Sequence, residues 1–134
     1  MKIITLISFL ILFAGSMNGQ NLIGLNDNEI RKYMKEYRKD MNIENVRNDR
    51  FKYLKYSDNF DSQTILFFLN EDSFCKSVRV ILDTSRKSEK VNELNSTYKK
   101  SGENQWIDNH DGKNYLITMK DEKWSCIISI DPDK

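Results

Sequence analysis

The side chains of this chain that could do chemistry are few. There is one histidine, His110, and it stands in Asp108-Asn109-His110-Asp111-Gly112. An imidazole flanked by carboxylates is the raw material of a general base or a metal site. In a strand, Asp108 and His110 share a face. Two acids and one imidazole on neighbouring residues still make a poor metal cage, and the spacing misses the calcium-loop pattern of alternating acids before a glycine. Asp-Gly with polar neighbours is what a tight hairpin turn requires, so the stretch reads first as a turn and only secondarily as a hydrolase centre built on His110 with Asp108 or Asp111.

The two cysteines, Cys75 and Cys126, are the other reactive side chains. As a nucleophile either would need His110 for a base, and neither has neighbours that would activate a thiol. As a pair they could form a disulfide closing a loop of about 50 residues, which would contribute about 4 kcal/mol in the chain-entropy model. Alternation places Cys126 on the inward side of its strand with Trp124, Ile128 and Ile130. It places Cys75 on the outward side with Ser77 and Arg79, so a bridge requires a bulge near Cys75. The sequence leaves bridge and separate thiols equally open.

No phosphate-binding glycine loop, nucleophile elbow or paired-cysteine zinc spacing is present in the sequence. No cofactor and no metal is therefore expected. Asn95-Ser96-Thr97 fits the glycosylation pattern, but its place in a predicted helix makes it read as a chance match.

The elements that must position these groups follow from patterning over the 134 residues. Residues 1–20 stand apart. Lys2 precedes an apolar run, Ile3–Phe13, broken only by Thr5 and Ser8, and small or polar residues follow. This is the pattern of a secretory signal peptide, and the run is short of the ~20 residues that span a bilayer. Cleavage after Gln20 resembles bacterial export signals that end in Gln; cleavage after Ser16 is the alternative. The expectation is an exported protein, periplasmic or secreted, whose residues 21–134 form one small domain.

The chain has 21 Lys and Arg against 20 Asp and Glu; without Lys2 the charges balance. A nucleic-acid binder would show a basic excess or stripe, so nucleic acid is not an expected partner. No membrane span is expected once the signal is removed.

Within 21–134, Asn26 and Glu29 form a capping-box signature, staple-flanked by Leu25 and Ile30. Ile30, Tyr33, Met34, Tyr37 and Met41 then recur at helical spacing, which predicts a helix of about four turns. Asn42–Arg50 reads as a polar connection. Strands are predicted at Phe51–Tyr56, Ser62–Leu69 and Cys75–Asp83. A second helix follows, with Val91, Leu94 and Tyr98 as its apolar stripe and Gly102 as its stop. Three more strands carry Trp106 and Ile107; Tyr115, Ile117 and Met119; and Trp124 to Ile130. The predicted fold is α+β: one antiparallel sheet of about six strands with both helices on one face, in the order αβββ-αβββ. This element order resembles small secreted αβββ modules such as the PepSY-like and beta-lactamase-inhibitor-like proteins, a likeness of topology that implies shape alone.

One feature of that sheet points to binding. If Ile65, Phe67, Leu69, Val78, Val80 and Leu82 meet the helices, then Leu66, Phe68 and Ile81 face away, and Ile107, Leu116 and Ile127 join them. A solvated sheet face should alternate with polar residues, and a contiguous apolar patch marks a partner or a dimer. The functional expectation is a small exported binding or inhibitor-like domain that offers this face to a protein or envelope ligand, with a homodimer also possible. A His110 hydrolase and a structural envelope component are the alternatives.

Overall fold

The structure, a computed structural model, describes residues 21–44, 51–60, 62–110 and 112–133. The expected signal peptide and its cleavage site lie outside these residues, as does Asp111. In chain order the elements are α1 (Asp27–Tyr37), β1 (Met41–Glu44), β2 (Tyr53–Asp58), β3 (Gln63–Leu69), β4 (Cys75–Asp83), a 3-10 turn (Thr84–Arg86), α2 (Lys87–Thr97), β5 (Lys99–Gly102), β6 (Gln105–His110), β7 (Lys113–Asp121) and β8 (Ser125–Pro132). The class is α+β, and the sheet is open and antiparallel. It has eight strands in the order β1-β2-β3-β4-β8-β7-β6-β5, so the element order is α-ββββ-α-ββββ and not αβββ-αβββ.

Helix α1 starts where the capping box predicts: the Glu29 N–H donates to the Asn26 side chain at 2.9 Å, and the Asn26 N–H donates to the Glu29 carboxylate at 3.0 Å. It ends a turn earlier than its apolar spacing suggests. Met41 N–H instead closes a turn on the Arg38 carbonyl at 3.0 Å, and Met41 begins β1 as a buried strand residue. Helix α2 likewise stops at Thr97, and the residues up to Gly102 pair with β6 as β5. These two short strands are the sheet's outer edges, and they are the pair missing from the predicted count.

One face of the sheet, here called inner, meets both helices. Ile30 and Met34 of α1 and Leu94 of α2 share a single buried cluster with Ile65, Phe67, Val78, Val80, Ile117, Ile128 and Ile130. Trp106, 1% exposed, anchors α2 by donating its indole N–H to Asn95 Oδ1 at 2.9 Å. That bond engages the side chain that the glycosylation pattern would modify. The lead-in residues also contribute: Leu22 is buried, and Gly24 and Leu25 exchange backbone hydrogen bonds with Cys75. Trp124, expected inside, is 76% exposed, because β8 begins one residue later and Trp124 sits in the preceding turn.

Pairing is between sequence neighbours throughout each half. Only the β4–β8 pair, with Val80 opposite Ile128 and Ile81 opposite Ile127, joins the two. Each half is thus a helix followed by a four-strand meander. The last strands of the two halves meet antiparallel at the centre.

Candidate functional site

The sheet's outer face is where the site must be sought, since the helices occupy the inner one. Leu66, Phe68, Ile81, Ile107, Leu116 and Ile127 alternate with buried inner-face neighbours along their strands and are all partly exposed. The structure does not bring all six together. On β4 and β8, Ile81 lies directly opposite Ile127; Thr64 lies opposite Ile81, and Leu66 is two residues along from Thr64. Ile107 and Leu116 are opposite each other on β6 and β7, near the other edge. Between the groups runs a polar strip in which Arg79, Ser129 and Thr118 are successive cross-strand neighbours. Arg79 is fixed there by Asp131 at 3.2 Å, and its guanidinium also donates to the Val78 carbonyl at 2.9 Å. The expected single patch is therefore two, because the intervening outward positions on the central strands are polar.

The larger group lines a shallow hollow of about 340 Å³ formed by Tyr53, Lys55, Thr64, Leu66, Phe68 and Ile81. The Tyr53 and Phe68 rings pack tilted across β2 and β3 with centroids 5.9 Å apart. Lys55 sits opposite Leu66 and holds Glu44 of the edge strand at 2.9 Å. That hydrogen bond, with a second from Ser57, lowers the Glu44 carboxyl below its ordinary value. Ser57, buried on this face, makes a 3.3 Å hydroxyl contact with Thr64. The hollow thus has an apolar floor, one aromatic wall and a charged rim. Tyr53, Lys55 and Thr64 were not singled out from sequence, although the alternation that exposes Leu66 and Phe68 also puts Tyr53 and Lys55 on their strand's outward positions.

His110 is at the exposed end of β6, while Asp108, two residues back on the same face, accepts a hydrogen bond from the Asn21 amide. His110 lines none of the hollows at the sheet face, at the Gly112–Asn114 turn or between the helices. Among the described residues no group of three or more His, Cys, Asp and Glu side chains could hold a metal.

Cys75 and Cys126 are both buried and both free. A bulge does occur where the sequence required one. The β3–β4 register shifts so that Phe68 faces Ser77 but Leu69 faces Cys75, which turns Cys75 to the inner face. The pair is nevertheless far apart along the sheet. Cys126 stands opposite Leu82, seven residues from Cys75 on β4, or about 23 Å at ~3.3 Å per residue, well beyond the ~7 Å limit for a bridge. Burial pushes the Cys75 thiol up to about 12 and raises that of Cys126, so neither is a ready nucleophile.

Among the described residues no helix is long and apolar enough to cross a membrane. Comparison with protein-family models, with curated proteins and with solved structures gives no match.

Proposed function

We propose that this domain is a small non-enzymatic binding module that seats a protein partner on its outer sheet face, in the hollow floored by Leu66, Phe68 and Ile81. The observation that carries this reading is the composition of that face. Positions that a solvated antiparallel sheet fills with polar residues here hold the aromatic pair Tyr53 and Phe68 and the aliphatic Leu66 and Ile81, and Lys55 and Glu44 stand at the margin. An apolar, aromatic centre inside a polar rim is the usual anatomy of a protein interface. Export to the periplasm or beyond, expected from residues 1–20, belongs to the same reading and is checked by N-terminal sequencing of the mature protein.

The test is an affinity capture from the envelope fraction, followed by reconstitution with the purified captured protein. Leu66→Glu and Phe68→Glu should abolish the reconstituted complex while the domain still folds cooperatively in urea, with a stability loss of no more than about 2 kcal/mol. Ile107→Glu, beyond the polar strip, should leave it intact. Loss of the complex in all three variants, or in none, would remove the assignment. If sedimentation instead shows a homodimer that Leu66→Glu dissociates, the occupant is a second copy and not a foreign partner.

A further inference from the structure

The inner side of the sheet holds a second hollow, independent of the outer face. Lys90 of α2 is 7% exposed and occupies the inward position one turn before Leu94. A lysine is seldom buried so deeply without a close partner. Its ammonium reaches both carboxylate oxygens of Glu93 only at 3.4 Å, against the ~2.7–2.9 Å of a well-formed charge-assisted bond. Arg86 is similarly placed, with the Ser62 hydroxyl at 3.4 Å and Glu89 at 3.9 Å. Arg38 completes the set, its guanidinium anchored by Asp40 at 3.2 Å and Gln63 at 3.3 Å.

These three cations line a cavity of about 240 Å³ together with Gln63, Leu82 and the acids Glu89 and Glu93, between the end of α1, the start of β3 and the first turns of α2. The acids around it are unevenly placed. The Asp40 and Glu89 side chains are 60% and 75% exposed and lose much of their pull to solvent, while Glu93 faces Lys90 and the Asp58 carboxylate, which binds Ser62, acts on Arg86. Burial lowers the Lys90 pKa, Glu93 opposes the shift, and Arg38 and Arg86 add to it. Lys90 therefore feels both guanidinium groups.

We propose that this cavity binds a small doubly charged anion, a phosphate or dicarboxylate group, with Lys90 at its floor and the Arg38 and Arg86 guanidinium groups on its walls. Two guanidinium groups and an ammonium supply the fork and point-charge donors that such oxyanions take. A bound dianion replaces the long Lys90 and Arg86 contacts with short ones and offsets the repulsion that Lys90 takes from the two guanidinium groups.

The probes are inorganic phosphate and succinate, titrated separately at fixed ionic strength into the purified domain and followed by amide chemical shifts and by calorimetry. Saturable shifts centred on Gln63, Arg86 and Lys90 are expected. Lys90→Met should weaken binding at least about tenfold and Arg86→Gln several-fold, with the distant Lys52→Gln unchanged. The probe that binds more tightly gives the chemistry of the natural group. Binding should also take up protons at alkaline pH, because an anion beside Lys90 favours its charged form. No saturable shift with either probe up to about 10 mM, or equal binding by wild type, Lys90→Met and Arg86→Gln, would overturn the assignment.

Discussion

Phe67 and Phe68 are adjacent in the chain and point to opposite faces of β3, so truncating each in turn measures what covers each face. Phe67 is 0% exposed and packs edge-on against Tyr56 with ring centroids 6.0 Å apart. Phe67→Ala should cost about 3–5 kcal/mol, the range for emptying an aromatic site in a closed core. That is a third or more of the ~5–15 kcal/mol stability of an ordinary domain. Phe68 is half-buried, and its one described ring contact is Tyr53 at 5.9 Å. The aromatic pair contributes about 0.5–1.5 kcal/mol, and with the partial burial lost Phe68→Ala should cost about 1–2 kcal/mol. Equilibrium urea unfolding resolves the two. With an m-value of about 1.5 kcal/mol per M, the midpoint should fall by about 2–3 M for Phe67→Ala and by about 1 M for Phe68→Ala. Phe67→Leu serves as the milder substitution if Phe67→Ala does not fold. Equal losses at the two positions would mean that the outer face is as covered as the inner one. The open binding face would then have to be abandoned.

Other consequences are as direct. Native protein should react negligibly with a thiol reagent, and denatured protein should yield two thiols; a bridged pair would yield none in either state. Asn26→Ala removes the acceptor of the capping box and should cost about 1 kcal/mol, lowering the thermal midpoint by about 4 °C; no change would mean the helix start is held by the Leu25 and Asp27 backbone contacts alone. Lys90 gives a pH-dependent difference. Its folded pKa lies below the ordinary 10.5, so between those values the unfolded chain holds a proton that the folded chain has released, and stability from this group rises with pH through that window. The thiol of Cys75 acts oppositely, since its folded value of about 12 exceeds its ordinary 9.0 and stability is lost as pH climbs above 9. Comparison of wild type with Lys90→Met cancels the thiol, and wild type should gain on the variant with rising pH; a flat difference would refute the buried-cation account.

The parts of this fold that could be read from sequence are those whose own side chains state their environment. The Asn26–Glu29 box, the alternation along Val78–Leu82 and the apolar spacing of α2 each report burial or capping locally, and each marks its element in the structure. The edge strands could not be read this way. Lys99–Gly102 is exposed at every residue and is a strand only because β6 offers it hydrogen bonds. Met41 fell on the helical spacing of α1, and only the turn closed on Arg38 shows that the chain has left the helix. The outward positions of Leu66, Phe68 and Ile81 followed from alternation, but their separation from Ile107 and Leu116 depended on strand order, which no local pattern contains. Lys90 was hidden for the opposite reason: a charged residue in a helical stripe reads as solvent-facing, and the cavity that accommodates it is assembled from three distant segments.

The central β4–β8 pair has a kinetic meaning. Every other strand pairing joins neighbours in the chain, so each meander can zip up from its own turns with little loop entropy to overcome. Joining them requires closing the chain from Asp83 to Ser125, a loop whose length-dependent entropy is about 3 kcal/mol. Folding should therefore be limited by the docking of two preformed halves, and the rate should be most sensitive to Val80, Ile81, Ile127 and Ile128. The same geometry lets the second meander of one molecule dock on the first meander of another. At high concentration the strand pair that completes the monomer is also the seam along which two chains could exchange halves.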